Sequence, residues 1–260
     1  NPINWNHSLN KKLVRWYKNV SNGGWNSQYV RDLTGKVNGL RSFRGYKGGG
    51  RLNSSGCFNF TDSAYKYIDF GNDTVLAGVD SAIWSFWIYT DATVIGGRVW
   101  HKWGGSPANS SWIIQTIATN QILFATTEGG AYFLIQTDTT IPTNTWTHVT
   151  VHTITYTEVR IYFNGVRQNT TITVGTIPHR LIAGGLNVYI GYEPDENSLG
   201  ALMLIDDLRM YKNPPSNFPV QQLYLESKSG NRNTLNYLLK PFTYAQEGNA
   251  VPQLPWNVSQ

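Results

Sequence analysis

A long alternating apolar stretch, residues 199–211, carries two adjacent carboxylates, Asp206 and Asp207. Successive side chains of a strand point to opposite faces, so the pattern predicts Asp206 beside Leu208 on one face and Asp207 beside Arg209 on the other. An unpaired carboxylate among apolar neighbours is costly. Such an acid either pairs with Arg209 or a backbone donor, or it binds a metal ion, and the pattern leaves both alternatives open.

Short apolar or alternating runs, separated by turn signals, continue through most of the chain. They predict further strands at Leu13–Tyr17, Cys57–Phe60, Tyr65–Phe70, Ala82–Thr90, Arg98–Trp103, Ser111–Ile117, Gln121–Thr126, Ala131–Thr137, Trp146–Thr153, Val159–Phe163 and Asn187–Tyr192. Asn164-Gly165 signals a tight hairpin turn. One helix is expected over Asn217–Glu226, with Ser216 as its cap and Pro219 in its first turn. Many short strands predict an antiparallel sandwich of two sheets.

Composition and charge support this interpretation. The chain has 260 residues, 40% of them hydrophobic and only 14% charged, with Cys57 as the single cysteine, so no internal disulfide is possible. No apolar run approaches the ~20 residues of a membrane span, and the start at Asn1 without methionine leads us to expect a processed or trimmed chain. Residues 1–60 hold ten basic side chains and one acid. This lobe either attracts an acidic partner or is a solvated loop, and no nucleic-acid module is recognisable in it.

Three stretches stand out together: Ser85-Phe86-Trp87-Ile88; the run from Trp146 to Val151 with that from Val159 to Val166; and Ile205 to Tyr211 followed by Ser216, Val220-Gln221 and Leu223-Tyr224. In this order they resemble the laminin-G-like, concanavalin A-like jelly roll. The resemblance implies an all-β, two-sheet antiparallel concanavalin A-like jelly-roll sandwich at residues 13–226, with one short helix. An N-terminal arm, residues 1–12, would precede it, and an extended C-terminal tail, residues 227–260, would follow.

The same resemblance implies a calcium site. In similar domains an aspartate of an early turn and an aspartate of the late strand hold a structural Ca²⁺. Carried over, the ligands are Asp32 and Asp206, with Asp207 and Asn38 as further candidates. Calcium takes carboxylate and carbonyl oxygens, which this set supplies. A purely structural aspartate–arginine pair is the alternative.

Catalysis is not expected. Retaining glycosidases need two carboxylates about 5–5.5 Å apart on one accessible surface, whereas Glu158 stands alone on its strand and Glu193 falls in a predicted loop. His148 and His152 share a strand face but lie about 13 Å apart at ~3.3 Å per residue, too far to bind one ion. His101 and His179 occur singly in the sequence. We predict that the protein is not an enzyme.

A glycan site would need aromatic rings on loops beside amide and hydroxyl groups. The stretch 101–112 offers Trp103, Asn109 and Trp112, and Tyr192 begins a second loop that could lie beside the same rim. The alternative is that Trp103 closes the end of the sandwich.

Both ends of the chain hold apolar anchors without the periodicity of a core. Trp5 lies in the arm, and Phe242, Leu254 and Trp256 lie in the tail. Aromatic anchors on such segments are common interface hot spots, so we predict assembly contacts there. Wrapping of the tail around its own domain is the alternative.

These observations predict a non-enzymatic structural or adhesion protein. Its pattern, including His7-Ser8-Leu9 and Leu13 to Tyr17, is similar to laminin-G-like proteins of phage and environmental bacterial genomes. This implies a virion surface component, a capsid decoration or fibre, that contacts other virion or surface proteins through its termini and carries a glycan-binding jelly roll. The alternative is a secreted, calcium-dependent carbohydrate-binding lectin. Either protein acts at a virion surface or outside the cell, and fold alone does not separate them.

Overall fold

The computed structural model describes residues 5–18, 29–42, 46–47, 57–61, 63–90, 96–104, 109–117, 119–128, 130–155, 157–176, 180–194 and 200–229. Its strands are β1 (Leu13–Tyr17), β2 (Tyr29–Val30), β3 (Gly39–Arg41), β4 (Tyr46–Lys47), β5 (Cys57–Asn59), β6 (Tyr67–Asp69), β7 (Ala82–Thr90), β8 (Gly97–Lys102), β9 (Trp112–Thr116), β10 (Ile122–Glu128), β11 (Ala131–Thr137), β12 (Thr147–Ile154), β13 (Glu158–Phe163), β14 (Val166–Arg167), β15 (Thr170–Val174), β16 (Tyr189–Gly191) and β17 (Met203–Lys212). One 3-10 turn, Ser8–Asn10, and one α-helix, α1 (Val220–Ser229), complete the described elements.

The strands form two antiparallel sheets. The first sheet has the order β14-β13-β12-β7-β17-β5-β4, with β1 also paired to β17. The second sheet has the order β15-β11-β10-β9-β8-β16-β6-β3-β2. This is the two-sheet sandwich that the sequence predicted, and the all-β jelly-roll expectation is confirmed.

The core lies between the two sheets. It is rich in aromatic rings, and the indoles of Trp84, Trp100 and Trp112 meet there with ring centroids 4.9 Å (Trp84 to Trp112) and 5.9 Å (Trp100 to Trp112) apart. Side chains alternate along each strand, so Trp84 and Phe86 of β7 face this core while Ile83 faces outward. Burial of large rings supplies most of the driving force for such a domain.

A β-bulge changes the alternation expected for β17. Met203 and Ile205 face the core, but so do Leu208 and Met210, because the register against β7 shifts between Asp206 and Arg209. Asp207 adopts a positive φ of 51° at this shift. The prediction that Asp206 and Leu208 share one face of the strand was therefore wrong.

Helix α1 and the chain start cover the outer face of the first sheet. Leu9 of the 3-10 turn is fully buried with Leu13, Ile83, Tyr211 and Leu223. On the same face the Trp87 indole donates a hydrogen bond to the Ser227 hydroxyl (3.1 Å). Part of the predicted arm thus packs on its own domain. Among the described residues, no helix has the length and hydropathy needed to cross a bilayer.

The helix begins later than predicted. The N–H of Leu223 donates to the carbonyl of Pro219 (3.0 Å), so Pro219 rather than Ser216 stands at the helix start. Ser216 lies in the preceding turn, where its carbonyl accepts a hydrogen bond from Arg160 (3.1 Å). The helix also extends three residues past the predicted end, to Ser229.

The predicted hairpin turn is present. Asn164 and Gly165 both have positive φ, 50° and 80°, as a type I′ turn requires. The Asn164 side chain accepts a hydrogen bond from the backbone N–H of His148 (2.9 Å), which ties the turn to β12.

Candidate functional site

Four tyrosines gather on the outer face of the second sheet. Ile68 of β6 and Ile190 of β16 point into the core, so their strand neighbours Tyr67 and Tyr189 point outward. Tyr65 and Tyr192 lie just beyond the two strands and join them. We call Tyr65, Tyr67, Tyr189 and Tyr192 the tyrosine cluster.

The rings of the tyrosine cluster are in mutual contact and are graded in exposure. The centroid distances are 5.2 Å for Tyr65 to Tyr192, 6.2 Å for Tyr67 to Tyr192 and 5.8 Å for Tyr67 to Tyr189. Tyr189 is buried, Tyr67 and Tyr192 are half-buried, and Tyr65 is 59% exposed. The inner tyrosines are thus fixed by packing, while the outer ones offer ring surface to a ligand.

A buried polar group lies beside the tyrosine cluster and consists of Arg98, His101 and Glu193. The Glu193 carboxylate is 3.4 Å from an Arg98 guanidinium nitrogen and 3.2 Å from Nδ1 of His101. Nε2 of His101 is 3.1 Å from the Gly191 carbonyl, which can only accept, so Nε2 carries a proton. Burial lowers the pKa of His101, although the adjacent Glu193 opposes that shift. We call this trio the Arg98 cluster.

The Arg98 cluster joins the two loops that the sequence proposed for a glycan. Arg98 donates to the backbone carbonyl of Trp103 (2.9 Å) while it contacts Glu193, which directly follows Tyr192. Trp103 itself is half-buried, with its ring 5.8 Å from that of Tyr132. The sequence pattern did not predict the Arg98 cluster, because Arg98 and Glu193 are far apart in the chain and no local spacing indicates their contact.

The other two predicted glycan residues have different positions. Asn109 is exposed and lies against Gly184 and Gly185. Trp112 is only 2% exposed, because its strand turns Ile113 outward and Trp112 into the aromatic core. The prediction that Trp112 contacts a glycan was wrong.

At the predicted calcium site, the carboxylate oxygens of Asp32 face hydrogen-bond donors. Asp32 is fully buried, and its Oδ1 accepts hydrogen bonds from the N–H groups of Trp16 (3.1 Å) and Thr34 (2.9 Å). Its Oδ2 accepts from the Thr34 hydroxyl (2.7 Å) and the Val37 N–H (3.1 Å). The Asn38 side-chain oxygen accepts from the N–H of Asp32 (3.0 Å). These oxygens face donors, which is the arrangement of a hydrogen-bonded turn.

The late-strand aspartates are also engaged. Asp207 accepts hydrogen bonds from the Trp16 indole (2.7 Å) and from the Arg209 guanidinium (2.9 Å). Burial opposes the charge of Asp207, but Arg209 outweighs it and holds the pKa of Asp207 at about 2. Asp206 Oδ1 accepts from the N–H of Asp207 (2.8 Å).

Within the described residues, no three acidic, histidine or cysteine side chains form a group that could hold a metal. A guanidinium beside Asp207 would also repel a cation. The residues do not fit Ca²⁺, and calcium binding stays a prediction of the resemblance.

Of the predicted assembly residues, only Trp5 lies in the described part of the chain. Its ring is 50% exposed. Phe242, Leu254 and Trp256 lie outside the described residues, and assembly through the termini stays a prediction.

Comparison with known proteins agrees with this architecture. Three solved structures have the same fold: the binding domain of Paraclostridial Mosquitocidal Protein 1 (TM-score 0.62, 15% identity), that of botulinum neurotoxin serotype D (0.59, 17%) and a structure of botulinum neurotoxin type C (0.58, 16%). They cover 85%, 85% and 84% of this chain, which spans about half of theirs (53%, 53% and 52%). At these identities the likeness establishes the fold.

No curated protein matches the chain. The family model of the concanavalin A-like lectin/glucanase superfamily, in its Laminin_G_3 form, matches residues 62–218, which is more than half of the chain. The match includes the core strands, β6 of the tyrosine cluster, both loops of the Arg98 cluster and the late strand β17. The chain therefore belongs to the concanavalin A-like lectin/glucanase superfamily.

Proposed function

We propose that this protein is a non-enzymatic carbohydrate-binding adhesion domain that acts outside the cell, and that the tyrosine cluster is its glycan contact. The observation that carries the proposal is the graded exposure of the four rings, from buried Tyr189 to exposed Tyr65. Aromatic rings present an apolar face to the C–H groups of a sugar, and tyrosine adds a hydroxyl that can bond to it. Few polar groups beside an aromatic surface are typical of ligand sites.

The Arg98 cluster supports the site from one side. Its carboxylate and guanidinium are nearly buried, so their contacts hold the segment that bears Tyr192 against β8. A site whose rings are fixed before the ligand arrives loses less conformational freedom on binding.

Two of the structural neighbours are known for glycan contacts, which also supports the proposal. Cell entry of botulinum neurotoxin type C depends on two ganglioside molecules, and the binding domain of botulinum neurotoxin DC is known in complex with SialylT. For this chain we propose a cell-surface glycan as the partner.

The superfamily also contains glucanases, but the described acids on this face do not suit hydrolysis. Glu193 is buried against Arg98 and His101. Asp69 accepts hydrogen bonds from the Gly71 N–H (2.7 Å) and the Asn187 amide (3.3 Å). A glycosidase needs two accessible carboxylates across the scissile bond, so we propose binding without turnover.

We also propose that the protein acts at a virion surface. The half-exposed Trp5 ring, next to an arm segment that packs on the domain, is compatible with a contact to a neighbouring protein. The calcium-dependent lectin is the less favoured alternative. The carboxylate oxygens of Asp32 and Asp207 already accept hydrogen bonds, from the Thr34 hydroxyl and from the Arg209 guanidinium, which does not suit a bound cation.

A glycan array with the full chain tests the proposal. Tyr65→Ala and Tyr192→Ala should each lower the affinity for a bound glycan by about tenfold, since loss of one stacking ring costs about 1.4 kcal/mol. Tyr89→Ala is the matched control, because Tyr89 is also a half-buried tyrosine paired with an aromatic ring, that of Trp146, but lies on the first sheet. Absence of glycan binding, or wild-type affinity in both cluster variants, would overturn the assignment.

A second measurement tests the absence of turnover. The pure protein should release no reducing sugar from any polysaccharide that it binds. Release that is lost in Glu193→Gln would show that the buried carboxylate is catalytic and would contradict the proposal.

A further inference from the structure

The edges of the two sheets differ in how they are protected. A sheet edge exposes unpaired backbone groups, and proteins guard it with short strands, charged residues or covering segments. Three edge strands, β2, β4 and β14, have two residues each. Two of these contain a basic residue and the third directly precedes Arg31. The open side of β1 is covered, since the N–H of Leu33 donates to the carbonyl of Trp16 (2.8 Å).

The edge strand β15 lacks these guards. It has five residues, Thr170–Val174, and the sequence from residue 168 to residue 177 contains no charged side chain. Threonine, isoleucine and valine have high strand propensity. Its two aliphatic side chains are exposed, Ile172 by 48% and Val174 by 45%. The one irregularity is a register shift against β11 between Leu134 and Ile135.

The backbone of β15 is paired on one side only. The backbone N–H and C=O groups on one side of β15 pair with strand β11, with Ile135 opposite Ile172 and Thr137 opposite Thr170. The hydroxyl of Thr171 donates to the carboxylate of Asp138, the residue that follows β11 (2.7 Å). In the described part of the chain, no strand pairs with the outward side of β15. The outward groups therefore suit another extended strand.

We propose that β15 pairs antiparallel with β15 of a second copy of this chain, about a two-fold axis at Ile172. The strand is self-complementary in this arrangement, because Thr170 meets Val174, Thr171 meets Thr173 and the two Ile172 side chains meet each other. Threonine pairs and aliphatic pairs are favourable cross-strand neighbours. A two-fold contact of this kind is the commonest way in which identical chains associate.

Charge favours this edge over other surfaces for a second copy. The chain has a net charge of +5, so two copies repel each other where basic side chains meet. The uncharged segment 168–177 lets the backbones approach without placing like charges together. The pairing would also bury the exposed aliphatic groups of Ile172 and Val174.

The pairing leaves the tyrosine cluster free. Strand β15 is at one end of the nine-stranded order, and β6 and β16 lie towards the other end. Two copies joined in this way would present two tyrosine clusters from one continuous sheet. Linked sites bind a multivalent surface more tightly than either site alone.

Sedimentation of the full chain over a range of concentrations tests the proposal. The wild type should form a dimer, and Ile172→Lys should raise its dissociation constant at least about tenfold, because two ammonium groups would then face each other at the axis. Leu225→Lys is the matched control, since Leu225 is 47% exposed but lies on α1. A wild type that stays monomeric, or an Ile172→Lys variant that dimerises like the wild type, would overturn the proposal.

A cysteine variant keeps the test valid if the lysine variant does not fold. Directly opposed residues of antiparallel strands have Cα atoms about 4.5–5.5 Å apart, within disulfide range. Ile172→Cys should therefore give a disulfide-linked dimer on mild oxidation, and Leu225→Cys should not. Cys57 is buried and does not interfere. Failure of Ile172→Cys to cross-link under conditions where the wild type is dimeric would reject the two-fold pairing.

Discussion

The two outer faces of the sandwich differ in what covers them. The outer face of the first sheet lies under α1 and the 3-10 turn, and it buries Leu9, Leu223 and the ion pair of Asp207 with Arg209. The outer face of the second sheet carries no described helix and exposes tyrosine rings, of which Tyr65 is the most open of the cluster. One face therefore serves stability, and the other has side chains available to a ligand. Substitutions on the first face, called the covered face, should lower the stability of the fold. Substitutions of the tyrosine cluster on the second face, called the open face, should instead lower the affinity for a ligand.

The largest effect is expected at the buried ion pair of the covered face. Arg209→Leu leaves the Asp207 carboxylate buried without its guanidinium, and it also removes a cation–π contact with Trp16 (4.5 Å). We expect a loss of about 3–5 kcal/mol in the free energy of unfolding, measured with urea. Arg167→Leu is the control, because the Arg167–Glu158 bridge is exposed and worth at most about 1 kcal/mol. Equal losses in both variants would contradict the role of the buried pair.

The next effect concerns the arm. Leu9 is fully buried under the helix, so Leu9→Ala should cost about 2–5 kcal/mol in the same urea experiment. Trp5→Ala, at a half-exposed position of the same segment, should change stability by less than about 0.5 kcal/mol. Wild-type stability of Leu9→Ala would mean that the arm contributes nothing to the covered face.

The covered face should also respond to pH through Glu226. Burial raises the pKa of Glu226 to about 7 despite the nearby Arg209, and its carboxylate lies 3.3 Å from Nε2 of His7. A raised acid pKa stabilises the folded state below the unfolded pKa, about 4.5, and this contribution is lost as pH rises towards 7. Arg209, Tyr211 and His7 are the titratable neighbours that face it.

Glu226→Gln isolates that contribution. The unfolding free energy of the variant relative to the wild type should increase between pH 4.5 and 7, by at most about 3 kcal/mol, and stay level above pH 7. Burial lowers the pKa of His7, so the contribution of His7 to the stability of the fold decreases as pH falls. His7 is present in both proteins. A difference between variant and wild type that is constant from pH 4 to 8 would contradict the raised pKa.

On the open face, a substitution should change glycan binding more than it changes the stability of the fold. Tyr65→Ala removes an exposed ring, so its effect on the melting temperature should correspond to less than about 0.5 kcal/mol, although we expect it to weaken glycan binding. Tyr211→Ala, a fully buried tyrosine of the covered face, should cost about 3–5 kcal/mol. A large loss of stability in Tyr65→Ala would mean that the tyrosine cluster is part of the structural core.

The smallest effect is expected from calcium. The oxygens of Asp32 accept hydrogen bonds from backbone and hydroxyl donors, so added Ca²⁺ or a chelator should leave the melting temperature unchanged. Asp32→Asn serves as the comparison, since it weakens the turn with or without the ion. A rise in the melting temperature with Ca²⁺ that disappears in Asp32→Asn would restore the metal site implied by the family resemblance.

The sequence predicted the architecture well where one physical rule determines the outcome. Strand β7 was predicted at its observed bounds, Ala82–Thr90, because its apolar run is buried on both faces. The Asn164-Gly165 turn followed from the need for two positive φ angles. Strand β15 was missed, since it is short and threonine-rich and offers only two apolar side chains, Ile172 and Val174.

The candidate site was less predictable. The Arg98 cluster depends on contacts between strands that are distant in the chain, and no local pattern marks such contacts. Trp112 could equally have faced outward, because the period of two does not say which face meets the core. The bulge at Asp207 also needs a positive φ at a residue other than glycine, which pattern alone does not reveal.

The position of β17 has a consequence for how the chain folds. This strand is the last in the described sequence, yet it lies between β7 on one side and β1 with β5 on the other. The first sheet can therefore close only after residue 212 has left the ribosome, when contacts between residues about 200 apart in sequence first form. Such long-range pairing makes folding slow, on the millisecond-to-second scale. Until then β7, a nine-residue strand without a charged side chain, exposes an open edge, so chaperones should have their main effect in this interval.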